Sequence, residues 1–62
     1  MKNKITLYTG FGSDKKKVEL YNFNKLDHIQ INDQWNIRIE CDGRFYYFQQ
    51  WMTSIGEIEI YA

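Results

Sequence analysis

The feature that most constrains this chain is a strict two-residue alternation on either side of a tight turn. Trp35-Asn36-Ile37-Arg38-Ile39-Glu40-Cys41 alternates apolar with polar, Asp42-Gly43 follows, and Arg44-Phe45-Tyr46-Tyr47-Phe48-Gln49-Gln50 returns. Period two belongs to strands, because successive side chains point to opposite faces of a sheet. Asp-Gly suits a type I′ turn, whose central residues both need positive φ. The hairpin this predicts sets Cys41 against Arg44, Ile39 against Tyr46 and Ile37 against Phe48 on an apolar face. Its other face sets Glu40 against Phe45 and Arg38 against Tyr47, so Arg38 can lie over a ring.

The same alternation recurs along the chain. Lys4–Thr9 and Val18–Phe23 read as strands, separated by a turn at Gly10-Phe11-Gly12-Ser13-Asp14. Asn24–Asp27 reads as a connection and His28–Ile31 as a short strand. Asn32-Asp33-Gln34 reads as a three-residue loop, which sets Ile31 opposite Trp35 and Ile29 opposite Ile37. Glu57–Tyr61 reads as the last strand. Phe45, Phe48, Met52 and Ile55 also fit a helical face over 44–55, with Gly56 as its cap. Weak helix formers at Tyr46, Tyr47, Thr53 and Ser54 oppose that reading. The expectation is therefore a mainly β fold of five to six short strands, a small antiparallel sheet or a partly closed barrel of the SH3-like or OB-like kind. A short helical turn is expected near 51–55, and a sheet with one covering helix is the runner-up.

The 62 residues suffice for one domain, residues 1–62, and place it near the size at which folding alone becomes marginal. A single cysteine, Cys41, excludes an intrachain disulfide. With a single histidine it also disfavours a structural zinc site, and no metal or cofactor is expected. Five Tyr, four Phe and two Trp supply the burial instead. More rings than a thin core can hold favour an interface, and a homodimer is one natural outcome. The start Met1-Lys2-Asn3-Lys4 leads into only four residues of strand-like pattern, so neither a secretory signal nor a membrane span is expected. With the unpaired cysteine, a cytoplasmic location is the natural reading.

Catalytic equipment is thin. His28 has no nucleophile at a recognisable spacing, and Cys41 points with Ile39 toward the core side, where a thiol acts as a small hydrophobe. Glu57 and Glu59 share a strand face, the ordinary solvated pattern of an edge strand. Gly10-Phe11-Gly12-Ser13 before Lys15, Lys16 and Lys17 faintly resembles a phosphate-cradling loop but lacks the full pattern. The chain is not expected to be an enzyme.

The aromatic residues carry the functional argument. Phe45, Tyr47 and Trp51 fall on one side of the returning strand, and Tyr21 and Phe23 share the corresponding side of theirs. So small a domain does not easily bury both faces of its sheet, and exposed apolar patches mark interaction sites. A non-catalytic protein-binding module follows, with Tyr21, Phe23, Arg38, Phe45, Tyr47, Trp51, Glu57 and Glu59 as partner-binding candidates. An inhibitor from a phage or mobile element, covering the active or nucleic-acid-binding surface of a nucleic-acid-processing enzyme, fits that description. Formal net charge is zero, but six lysines against Asp14 and Glu19 make residues 1–25 basic, and residues 26–62 are correspondingly acidic. Those acids could meet a basic groove, unless folding interleaves the two halves. The alternative is a small-barrel binder of single-stranded nucleic acid, stacking bases on the rings and touching phosphates with Lys15, Lys16 and Lys17.

Overall fold

The structure is a computed structural model that describes residues 3–60. Six strands follow one another: β1 (Asn3–Thr9), β2 (Lys16–Tyr21), β3 (Phe23–Ile31), β4 (Gln34–Cys41), β5 (Arg44–Gln49) and β6 (Thr53–Ile60). Single 3-10 turns at Gly12–Asp14 and Gln50–Met52 interrupt them. The strands form two antiparallel three-stranded sheets, ordered β2-β1-β6 and β3-β4-β5. Among the described residues no helix is long and apolar enough to cross a membrane.

One residue turns β2 into β3. Asn22 sits at φ 62°, a left-handed conformation that asparagine tolerates better than most residues. Its amide donates to the Asn3 carbonyl at 2.6 Å, and the Asn3 side-chain amide donates to the Phe23 carbonyl at 3.2 Å. The chain thus passes from one sheet to the other at a corner clasped by the first described residue of β1. The apolar faces of the two sheets meet there. Ile5, Leu7, Phe23, Ile37, Ile39 and Cys41 are buried, with Val18, Leu20, Leu26, Tyr46 and Phe48 packed around them. Ile5, Leu7 and Ile39 are the largest side chains sealed completely.

The Asp42-Gly43 hairpin forms with each of the five pairs expected of it, and Asp42 and Gly43 take φ 52° and 78°. The preceding hairpin differs. Asn32 and Asp33 both adopt positive φ, so the loop has two residues rather than three. Ile31 therefore pairs with Gln34 and Ile29 with Asn36, while His28 faces Ile37. A register slip of one moves every side chain to the other face, and Ile29 and Ile31 leave the core side. The connection expected at Asn24–Asp27 is strand as well, with a bulge beside Asn24 that absorbs the turn out of the corner. The helical reading of 44–55 reduces to the 3-10 turn Gln50–Met52. β6 then begins at Thr53, earlier than the alternation suggested, and Tyr61 lies outside the described residues.

Ile39, in the central strand of its sheet and fully buried, is expected to lose about 2–5 kcal/mol of stability on Ile39→Ala, read from urea denaturation. Asp33→Gly should instead stabilise the chain by up to about 1 kcal/mol, because glycine occupies positive φ without steric cost.

Candidate interaction surface

The expected partner-binding residues do not form one patch. Phe23 lies in the core at 9% exposure, and this corrects its assignment to the surface. The positive φ at Asn22 breaks the alternation between Tyr21 and Phe23, so the two rings part. Tyr21 stays exposed on the outer face of the first sheet, where Lys4 Nζ lies 5.7 Å from its ring centroid. Glu57 and Glu59 belong to that same face, paired with Thr6 and Lys4 across the β1–β6 ladder. Lys4 also makes a 2.8 Å ion pair with Glu19. Acids of the second half thus flank a lysine of the first, and the basic and acidic halves are interleaved here.

Phe45, Tyr47 and Arg38 do meet, on the outer face of the second sheet. The Arg38 guanidinium carbon lies 5.4 Å from the Phe45 ring centroid. The same guanidinium makes a two-pronged contact with Asp27, Nε to Oδ1 at 3.0 Å and Nη2 to Oδ2 at 2.7 Å. This geometry fixes the arginine plane. The Arg38 hydrogen bond holds the Asp27 carboxyl below its ordinary value, with Lys25 adding to the effect. Lys4 does the same for Glu19.

Trp51 stands apart from both groups. β5 ends at Gln49, and the 3-10 turn swings Trp51 away from the line of Phe45 and Tyr47 toward the loop after β1. There its ring meets Phe11, with centroids 5.2 Å apart and planes tilted by 43°. Two further bonds tie that loop to the turn: the Gly10 amide donates to the Met52 carbonyl at 2.9 Å, and the Thr9 and Thr53 hydroxyls lie 2.9 Å apart. Gly10 is required at this point. Its φ is 105°, and a Cβ would come within 2.7 Å of the Asp14 carbonyl oxygen. Tyr8 completes the wall, its ring edge occupying the space a side chain at Gly56 would fill.

The result is a groove walled by aromatic rings, with Thr53 and Ser54 among the residues of its first slot. One slot, of about 220 Å³, is lined by Tyr8, Phe11, Trp51 and Met52 with Lys15 at its edge. The next, of about 310 Å³, runs between Trp35 and Trp51 with Gln34 and Gln50. Trp51 is the shared ridge and is 63% exposed. Lys15 Nζ lies 5.7 Å from the Tyr8 ring centroid, and Lys16 borders the far side of Phe11. Of this set the sequence reading singled out Trp51 and the lysines. Trp35, expected on the core face with Ile37 and Ile39, is instead 52% exposed, and Tyr8 and Phe11 drew no assignment, although an aromatic between two loop glycines, Gly10-Phe11-Gly12, was a usable sign of an exposed ring.

The groups that could support chemistry are dispersed. Cys41 is buried with its thiol directed at the Tyr21 carbonyl, and burial, then the nearby Asp42, pushes its pKa up. A thiol so placed is a poor nucleophile. His28 is exposed on β3, and no cluster of three metal-ligating side chains occurs among the described residues. Comparison with protein-family models, with curated proteins and with solved structures gives no match.

Asp27 and Glu19 have folded-state pKa values below their unfolded ones, so their contribution to stability is present at neutral pH and is lost as pH falls through the folded values. Thermal stability followed from about pH 5 to about pH 2 should decline, and Asp27→Asn should decline less steeply than wild type over that range.

Proposed function

We propose that this chain is a small non-catalytic protein-binding module whose aromatic groove receives an extended segment of a partner protein. The observation that carries this reading is Trp51, held proud of the surface by the 3-10 turn, braced by Phe11 and flanked by two slots, the one beside Trp35 mainly apolar. Two slots on either side of one ridge suit successive apolar side chains of an extended peptide. Backbone groups of such a peptide can meet Gln34 and Gln50 at the rim. Exposed Trp and Tyr at the centre of a contact, with polar groups around them, is the usual anatomy of a binding hot spot. Lys15 and Lys16 at one edge outnumber the neighbouring Asp14 and favour a partner segment with acidic residues beside its apolar ones. Mimicry of a phosphate backbone by Glu57 and Glu59 receives less support, because Glu59 pairs across the ladder with Lys4, itself bonded to Glu19.

A second reading rests on the same lysines. Phe11 and Trp51 beside Lys15 and Lys16 also suit a single-stranded nucleic acid, with a base stacked on indole and phosphates on the ammonium groups. Zero net charge weighs against it.

A random-peptide display library selected on the wild-type chain separates the two. The protein-binding reading expects a recurrent apolar-acidic sequence that Trp51→Ala weakens about 30-fold or more, the loss of a typical hot spot. An oligonucleotide that binds at physiological salt, with no peptide enriched, would establish the second reading in its place.

A further inference from the structure

We propose that the outer edge of β5 is a self-association site, where β5 of one copy pairs antiparallel with β5 of a second to join two β3-β4-β5 sheets into one. The argument begins with the four strands that end a sheet: β2, β6, β3 and β5. An exposed edge offers unpaired amides and carbonyls to any other strand, and natural edges are blunted by charges, proline, bulges or bends. β2 carries Lys16, Lys17 and Glu19 and bends at Asn22 into the next strand. β6 carries Glu57 and Glu59 and is bulged at Gly56. β3 carries Lys25 and Asp27 and is bulged beside Asn24. β5 is blunted only at its first residue, Arg44, beside the turn. Between Arg44 and Gln49 it reads Phe45-Tyr46-Tyr47-Phe48, with no charge, no proline and an unbroken register.

The backbone directions fit the same contact. A two-residue turn closes on the Cys41–Arg44 pair, which exchanges both hydrogen bonds, and hydrogen-bonded pairs then alternate along the ladder. Arg44, Tyr46 and Phe48 therefore bond to β4. Phe45 and Tyr47 direct their amides and carbonyls outward, away from β4. Their side chains occupy the outer face, 53% and 48% exposed, while Tyr46 and Phe48 pack against the core.

The edge is also complementary to itself. A two-fold axis through Tyr46 sets Phe45 opposite Tyr47 of the second copy, and Tyr47 opposite its Phe45. Each such pair exchanges two backbone bonds and places two rings on the same outer face. Arg44 meets Phe48 of the second copy rather than another arginine. The Arg38 backbones, one strand further in on each side and offset by two residues along the strands, stand about 16 Å apart at ordinary strand spacing. With zero net charge on the chain, the copies do not repel one another at long range. A contact of one short strand buries less than a standard interface, so the dimer is a weak one.

Sedimentation equilibrium of the full chain from about 10 µM to about 1 mM, the range in which so small an interface forms, tests this. The mean mass should rise from 7.6 kDa toward twice that value. Tyr47→Lys, which puts a charge at the centre of the pairing, should hold the chain monomeric at the highest concentration. Tyr47→Pro, which removes an outward amide but no ladder bond, should do the same. Tyr21→Lys is the control: Tyr21 is 50% exposed, on the other sheet, and the variant should dimerise like wild type. If circular dichroism shows Tyr47→Pro unfolded, Tyr47→Lys alone decides. A wild type monomeric throughout, or Tyr47→Lys that associates like wild type, would overturn the proposal. So would loss of association in Tyr21→Lys or in Trp51→Ala, since either would place the contact on another surface. Peptide binding at the groove is read separately by display, and only loss of association in Trp51→Ala would tie the two surfaces together.

Discussion

The architecture depends on one left-handed residue. Asn22 lets a single run of chain serve the first sheet as β2 and the second as β3, and the Asn3 bonds on either side hold the bend. Without it, Val18 to Ile31 would continue as one straight strand, and the apolar faces of β1 and β4 would have no reason to meet. Because the bend brings them together, Ile5 and Leu7 lie over Ile37, Ile39 and Cys41, and this contact supplies most of the core. A core this thin leaves several rings outside, and where they emerge is decided by the short segments between strands.

The alternation in the sequence described the Asp42-Gly43 hairpin down to five of its pair partners and the placing of Arg38 over a ring, while Trp35, expected on the core face, lies exposed. That success has a physical basis: Asp-Gly selects one turn type, and the turn type fixes the register. Asn32-Asp33 is weaker because both residues tolerate positive φ without requiring it, so loop length was undetermined, and one residue of slip reversed the face of Ile29 and Ile31. Asn22 was harder still. A lone asparagine inside an apolar-alternating run carries no turn signal of its own. Its conformation is selected by tertiary bonds to Asn3, which no local pattern announces.

The candidate site shows the same division. Phe45, Tyr47 and Arg38 were legible as a group because they sit in the well-determined hairpin. Phe23 was assigned to the surface because period two was carried straight through Asn22. The groove escaped the sequence because its members come from the end of β1, the following loop, the start of β4 and the 3-10 turn, and only folding gathers Tyr8, Phe11, Trp35 and Trp51. Loops carry such surfaces because a scaffold beneath can fix them while leaving the rings in solvent.

The buried thiol at the corner has a practical consequence. Cys41 is the only sulfhydryl in the chain, and it faces the backbone where the two sheets part company. A small alkylating reagent can reach it only when that junction comes open. The rate at which the native protein acquires the label is therefore a clock for separation of the sheets, readable by mass spectrometry without adding any foreign probe.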